Sequence, residues 1–301
     1  MGHRVTPRTV AVTGGNGFIG AWVLKNILDR GHRPVVLDLT PPGPFVLELL
    51  GTQAEELEWV TGDIRDGDEV SAVIGRADAV VHLAGVLTPF CRANPIEGVK
   101  INVIGSTNVF GAAVAAGIQG VSYASSAAVY SGEGLDLAPT SLYGATKLSA
   151  ELLATAFAHE FGLDSMGLRP FVVYGPGREA GASAGVSLAC RAAAHGEEYE
   201  IAFGGMTDAV HVVDVADAFV VSALKPLAGA HSCSVSGALV SVGEIASTIG
   251  DLVPGARISV GGEDLGIHPD ISEFDLRTRR TDFVHTDLRD GLAHTINAYS
   301  A

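Results

Sequence analysis

Cysteine is scarce in this sequence: Cys91, Cys190 and Cys233 are the only three in 301 residues. They stand far apart, with neither a CxxC pair nor a metal-ligand rhythm, so a disulfide framework is excluded and ordinary reduced thiols are expected. The ten histidines form no HExxH or HxH cluster, and no metal is assigned. Basic residues are also few, with 19 Lys and Arg against 34 Asp and Glu for a formal charge of −15. Such a field opposes non-specific nucleic-acid binding and attachment to anionic lipid. No apolar run approaches the roughly 20 residues that span a bilayer. MGHRVTPRTV runs straight into a strand-like segment and lacks the make-up of a secretion signal. The expectation is a cytoplasmic protein with neither a nucleic-acid nor a membrane partner.

Glycine and small apolar residues are abundant: 38 glycines and 47% apolar residues suit an ordered α/β protein with many tight turns. Short β-branched runs alternate with longer helical stretches. TVAVTG, PVVLDL, LEWVTGD, AVVHLAG and GVSYASS read as strands, NVIGSTNVFGAAVAAG reads as a helix, and MGLRPFVVYG reads as the next strand. This alternation predicts a doubly wound parallel sheet with helices on both faces. Beyond about residue 176 the pattern loosens, ending in an amphipathic run near 287–299. The expected division is a nucleotide-binding domain over 1–175 and a smaller, mainly substrate-binding lobe over 176–301, interleaved and with a soft boundary.

TGGNGFIG, residues 13–20, carries Gly15-x-Gly17-x-x-Gly20 between the first strand and the first helix. Glycine permits the tight turn there, lets the backbone approach a pyrophosphate and lets the helix pack closely on the strand. The second strand ends in Asp38, eighteen residues after Gly20, where a carboxylate can accept from an adenosine ribose. No Arg or Lys follows in LTPPGP, so a 2′-phosphate would meet uncompensated repulsion and NAD is favoured over NADP. Asp63, in TGDIRD, fits either an adenine-edge contact or a turn.

In SLYGATKLSAE, Tyr143 lies four residues before Lys147 and shares a helical face with it. A reacting hydroxyl needs a partner for its proton, yet near pH 7 only about one phenol in a thousand is ionised; a nearby ammonium lowers that cost. No other YxxxK combination competes, since Tyr130 is followed at that spacing by Gly134 and Tyr174 by Arg178.

Together, TGGNGFIG, GDIRD, HLAG, NVIGSTNV, SSAAVY, YGATK, LRPFVVYGPG and HVVDVADA resemble, in order and over residues 10–220, the extended short-chain dehydrogenase/reductase family of NAD-dependent epimerases and dehydratases. The resemblance implies a Rossmann fold with a small substrate lobe, a homodimer packed through helices around 103–116 and 144–158, and a small hydroxyl or carbonyl substrate. It implies Tyr143 as acid/base, Lys147 as its assistant and Ser126 as the hydroxyl on the reacting oxygen, with Ser125 as the alternative. For NAD it implies contacts from Gly14, Gly17, Phe18, Ile19, Gly20, Asp38, Asp63, Ile64, Leu83, Ala84, Gly85, Tyr143, Lys147, Pro170 and Val173. Asn102 fits either that set or a brace for a neighbouring strand.

The chain departs from the family where substrate is chosen. Dehydratases carry an acidic pair after the serine, whereas Ala127 and Ala128 can neither donate nor accept a proton, so dehydration is not expected. Nucleotide-sugar members place Asn and Arg where Val172 and Thr207 stand, and Thr cannot replace a guanidinium on a diphosphate. The twelve residues of SGEGLDLAPTSL also imply a trimmed rim. A smaller substrate, such as a sugar or sugar acid, is expected, lined by Thr88, Ser126, Arg178 and Asp208. His211 fits either this pocket or the core, Asp214 reads as a helix cap, and Arg277–Arg280 reads as a solvated face. Net oxidation of the substrate is the leading expectation, epimerisation by transient oxidation the alternative, and a non-catalytic NAD sensor the reading from another class.

Overall fold

The computed structural model describes residues 6–280, 283 and 285–300; the first five residues of the segment weighed above as a signal lie outside them. The chain opens with β1 (Thr9–Thr13), α1 (Phe18–Asp29), β2 (Arg33–Asp38), α2 (Pro44–Leu50), β3 (Glu58–Thr61), α3 (Gly67–Ile74) and β4 (Ala79–His82). There follow α4 (Thr88–Ala93), α5 (Pro95–Val99), a π-helical stretch at Lys100–Ile104, α6 (Gly105–Ala115), β5 (Val121–Ala124), α7 (Leu142–Phe161) and β6 (Ser165–Pro170). Next come β7 (Val172–Tyr174), α8 (Gly185–His195), β8 (Glu198–Ile201), β9 (Met206–His211), α9 (Val212–Leu224) and β10 (Ala230–Val235). The last elements are β11 (Ala238–Ser241), α10 (Val242–Leu252), β12 (Arg257–Val260) and α11 (Leu288–Tyr299).

Two compact units emerge. The first comprises the chain to Val129, Pro139–Arg169 and Ala216–Cys233; the second comprises Tyr130–Ala138, Pro170–Val215 and the chain from Ser234 onward. In the first, seven strands form one sheet in the order β3-β2-β1-β4-β5-β6-β10, and every pairing from β3 to β6 is parallel. Helices cover both faces of such a sheet, so its central strands are mainly apolar and buried on both sides instead of alternating. All four residues of β4 are buried, for example. Val73, Ile74, Val80, Val109, Phe110 and Val121 are almost wholly shielded, each contributing on the order of 2 kcal/mol of hydrophobic stabilisation. Phe110 meets Tyr123 edge-on at 5.2 Å between ring centres.

Helix α7 has clear physical limits. Ser141 Oγ accepts from Gly144 N at 3.0 Å at its start, and Gly162, at φ 71°, supplies the left-handed residue that ends it. Between them, Gly144, Lys147, Ala150, Glu151 and Ala154 turn inward.

The single strand expected over MGLRPFVVYG is two. Pro170 has no N–H to continue a ladder, so β6 ends there and β7 joins another sheet. That break is also where the second unit resumes, six residues ahead of the expected start at 176.

The second unit holds the three-stranded sheet β11-β9-β7, with β9 antiparallel to β11 and parallel to β7, and the parallel pair β12-β8. Its core gathers Val172, Tyr174, Val186, Cys190, Ile201 and Ile245, all inaccessible to solvent or nearly so. Ser241 and Glu244 form a reciprocal capping box that starts α10.

Candidate active site

The turn between β1 and α1 is shaped by close approach. Gly14 has φ 77°, and a β-carbon on it would lie 2.6 Å from Ala84 N; one on Gly20 would collide with Gly14 O. Gly17 is exposed at the head of α1, with Phe18 and Ile19 half-buried in its first turn. These positions leave backbone N–H groups at a helix N-terminus, a setting suited to a pyrophosphate. Asp38, at the end of β2, accepts from Asn16 N at 2.9 Å and Thr40 N at 3.3 Å, so its carboxylate is oriented beside the turn. Asn16 completes the link: its Nδ2 donates to Thr40 Oγ1 at 2.8 Å, and its Oδ1 accepts from Gly43 N at 2.7 Å.

A second loop follows β4. Leu83 N donates to Thr13 O at 3.0 Å and Ala84 N to Thr13 Oγ1 at 3.3 Å. Buried His82 lies between Thr13 Oγ1 at 2.6 Å and Ser106 Oγ at 3.0 Å, while Ser106 donates to Asn102 O. Burial, aided by the Lys147 cation, pushes the His82 pKa down to about 3, so it serves as a neutral link between strands and helix. Asn102 is buried in the π-helical stretch, where its amide accepts from Val86 N and donates to Val86 O and Thr146 Oγ1. Those bonds make it a brace for the loop. Gly85 stands beside it: a β-carbon there would lie 3.0 Å from Asn102 Oδ1 and 3.4 Å from Lys147 Nζ.

Asp63 and Ile64 have tasks within the fold. The Asp63 carboxylate accepts from Arg65 N at 2.9 Å and is paired with the Arg65 guanidinium, which holds its pKa below the ordinary value. This is the turn-forming alternative. Ile64 packs its side chain into the core.

Ser126, Tyr143 and Lys147 all belong to the first unit and are brought to one end of its sheet. Lys147 Nζ lies 5.7 Å from the Tyr143 ring centre and donates to Ala124 O at 2.9 Å. Its burial lowers its pKa to about 8. Ser126 follows β5 by two residues, and its Oγ accepts from Ala128 N at 3.2 Å in the 3-10 turn Ala127–Val129. That turn is seated against the start of α7, because a β-carbon on Gly144 would strike Ala128 O. The glycine after Tyr143 therefore allows the serine-bearing turn to approach the tyrosine. Thr88 is exposed in the first turn of α4.

The remaining predicted residues lie in the second unit. Pro170 and Val173 are buried, Val173 pairing with Val210. Arg178 is half-buried and donates from Nη2 to Ser183 Oγ at 3.0 Å. Asp208 is fully shielded; one carboxylate oxygen accepts from Gly237 N at 2.8 Å and the other from Ser236 Oγ. It ties β9 to the Ser236–Gly237 turn. His211 is packed, 3.1 Å from His294 Nδ1 and edge-on to Tyr174. Asp214 lies within the first turn of α9 and accepts from Thr286 N and Oγ1 at 2.8 Å, so it links two segments. Arg277 is held by Asp275 and His285 and Arg280 is buried, while Arg279 is exposed, so only part of this cluster forms a solvated face.

The comparisons agree with this arrangement. The profile of the NAD-dependent epimerase/dehydratase family matches residues 10–236. A UDP-glucose 4-epimerase of Azospirillum brasilense is 32% identical over 287 residues, covering 83% of this chain and 79% of that protein. Among solved structures, the UDP-N-acetylglucosamine 4-epimerase of Methanobrevibacter ruminantium M1, in complex with UDP-N-acetylmuramic acid, superposes with a TM-score of 0.83 at 26% identity, covering 97% of this chain and 98% of that one. The UDP-glucose 4-epimerase of Brucella ovis in complex with NAD superposes at 0.79 with 25% identity, covering 97% and 98%. A Rossmann-type sheet with a tyrosine–lysine pair at the end of its strands defines a short-chain dehydrogenase/reductase enzyme. The chain belongs to the NAD-dependent epimerase/dehydratase family, whose cofactor is NAD.

The residues present fit that dinucleotide: the turn closes to added β-carbons, Asp38 is oriented beside it, and a buried ammonium stands by Gly85. Three contributors escaped the sequence reading. Asn16 was hidden inside a motif noticed for its glycines. Gly144 needed knowledge of the Ala128 backbone. Glu151 continues the Tyr143–Lys147 line by another helical turn, a spacing that was legible, but its partner Arg169 comes from a separate strand.

Proposed function

We propose that this enzyme oxidises a hydroxyl-bearing carbon of a sugar and then reduces the resulting ketone from its opposite face, a 4-epimerase-type outcome. The observation that carries it is the buried Lys147 ammonium facing the Tyr143 ring in an NAD-family fold. NAD, when bound, supplies the hydride acceptor and returns the hydride. Tyr143 Oη takes the proton from the substrate hydroxyl, and Lys147 lowers the cost of the phenolate that must receive it. Ser126 Oγ donates to the reacting oxygen and orients it. In the reverse half, Tyr143 returns the proton to the ketone oxygen. The epimerase names of the relatives from Azospirillum and Methanobrevibacter support the two-sided outcome.

A dehydrogenase acting on a sugar or sugar acid without a nucleotide is the second reading. It is favoured by Val172 and Thr207, both buried, at the positions where nucleotide-sugar members carry Asn and Arg. One experiment separates the two. The protein is incubated with NAD and either UDP-glucose or a panel of free sugars and sugar acids, following NADH absorbance and C4 stereochemistry by NMR. Exchange without NADH accumulation supports the epimerase; net NADH supports the dehydrogenase; neither signal on any substrate overturns both.

We also assign a homodimer and a cytoplasmic location. Ile96, Val99, Ile104 and Leu152 are large apolar side chains left exposed on the first unit, at 73, 45, 47 and 65%. They lie on α5, the π-helical stretch and α7, and a second copy covering them would remove that surface from water. Sedimentation showing a monomer that Leu152→Glu leaves unchanged overturns the dimer. The three cysteines are buried thiols, in keeping with a reducing compartment. No described helix is long and apolar enough to cross a membrane. Cell fractionation checks the location.

A further inference from the structure

Helix α7 carries Tyr143, Lys147 and Glu151 at successive turns, and the third has no part in the proton transfer above. Glu151 is 6% exposed and its carboxylate accepts three hydrogen bonds: Oε1 accepts from Ser125 Oγ at 2.5 Å and Arg169 Nε at 2.7 Å, while Oε2 accepts from Arg169 Nη2. Ser125 in turn donates its N–H to Leu168 O at 2.8 Å. Helix α7 is thus fastened to the two residues directly preceding Ser126, Lys147 to Ala124 O and Glu151 to Ser125. A buried ion pair of this kind contributes little net stability, because desolvation offsets attraction, and an apolar pair of similar volume often serves stability better. What apolar contact cannot supply is direction, since it tolerates rotation and sliding of a helix that a bidentate guanidinium–carboxylate pair does not.

We propose that the Ser125–Glu151–Arg169 triad is a positioning device for the proton transfer, setting the rotation and register of α7 so that the Tyr143 phenol and the Lys147 ammonium face Ser126. Arg169 has a second task. It neutralises Glu151 in place, so that no unpaired carboxylate stands one helical turn beyond Lys147 to draw its ammonium away from Tyr143. The proposal rests on the reading of Tyr143 as the proton carrier.

The test replaces the pair by apolar residues, Glu151→Leu with Arg169→Met, and adds Ser125→Ala as a milder variant that cuts only the link to β5. Thermal unfolding establishes that each is folded. The Tyr143 phenol is then titrated by ultraviolet difference absorbance, each protein against the same protein carrying Tyr143→Phe, a readout that needs no substrate. With Lys147 no longer held against it, the phenol is expected to titrate about one pH unit higher in the double variant. With UDP-glucose as probe, kcat is expected to fall about tenfold or more while KM holds, the pattern of a lost geometry and not of lost binding. Ser125→Ala is expected to show the same upward titration shift in smaller degree. A purely structural triad would leave the phenol titration unmoved in any folded variant, and that result overturns the proposal. Should Tyr143→Phe itself retain turnover, it is the assignment of the proton carrier that fails, whatever the titration shows.

Discussion

The two units use their buried polar groups differently. In the first, they converge on one end of a parallel sheet: His82 links the strand end to a helix, Asn102 braces a loop, and Lys147 and Glu151 grip the strand that leads to Ser126. In the second, comparable groups hold segments to one another, Asp208 to the Ser236–Gly237 turn and Asp214 to Thr286. A buried carboxylate alone therefore says nothing of chemistry. What distinguishes the sites is whether the polar groups orient a side chain able to exchange a proton.

The sharpest way to break this comparison is Tyr143→Phe. It should lower turnover about a thousandfold, within the usual contribution of a positioned acid or base, while calorimetric titration finds NAD binding retained. Asp38→Ala should leave the chemistry but weaken NAD about tenfold to a hundredfold, the loss expected for a hydrogen bond to a charged group; fluorescence titration with NAD measures it. The acidity of Lys147 gives a third expectation. Its ammonium is intact below its pKa of about 8 and is lost above it, so turnover should fall through that region as pH rises. A Lys147→Arg variant, if active, should lose that limb from its pH–rate profile.

Asp208→Asn sharpens the contrast from the other unit. It should lower stability by about 1–3 kcal/mol through weakened buried hydrogen bonds, with kcat and KM unchanged; a collapse of turnover equal to that of Tyr143→Phe would erase the distinction. A further contrast, set by pH, compares two histidines. Burial lowers His82 to about 3 and His211 to about 4, both below the unfolded value of 6.5. The unfolded chain therefore binds more protons below pH 6.5, and stability falls as pH falls. Each histidine contributes a slope of about 1.4 kcal/mol per pH unit, ending near pH 4 for His211 and near pH 3 for His82. Denaturant unfolding of His211→Asn and His82→Asn across this range checks that order.

Much of the first unit was legible because its signals are local. Strand runs, the glycine turn, Asp38 and the Tyr143–Lys147 spacing each lie within a few residues, and the strands fall close to their expected places. The strand break at Pro170 was legible too, in a proline that cannot continue a ladder. The second unit was less readable. Nothing in the local sequence of Asp208, Asp214 or Arg277 reveals its task, which depends on Ser236, Thr286 and His285, residues 8 to 72 positions away.

By itself, the sequence determined the alternation that builds the parallel sheet, the glycine turn after the first strand and the Tyr143–Lys147 spacing proposed to handle the proton. Those properties follow from backbone freedom, hydrophobic period and side-chain chemistry, which are carried by short stretches of chain. Only the tertiary structure decided that Gly144 admits the turn after Ser126, that Asn102 braces a loop, that Asp208 is buried, and that Arg169 meets Glu151 beneath the tyrosine–lysine pair. Each depends on two distant segments arriving at van der Waals or hydrogen-bond distance, a condition set by the packing of the whole sheet and its helices.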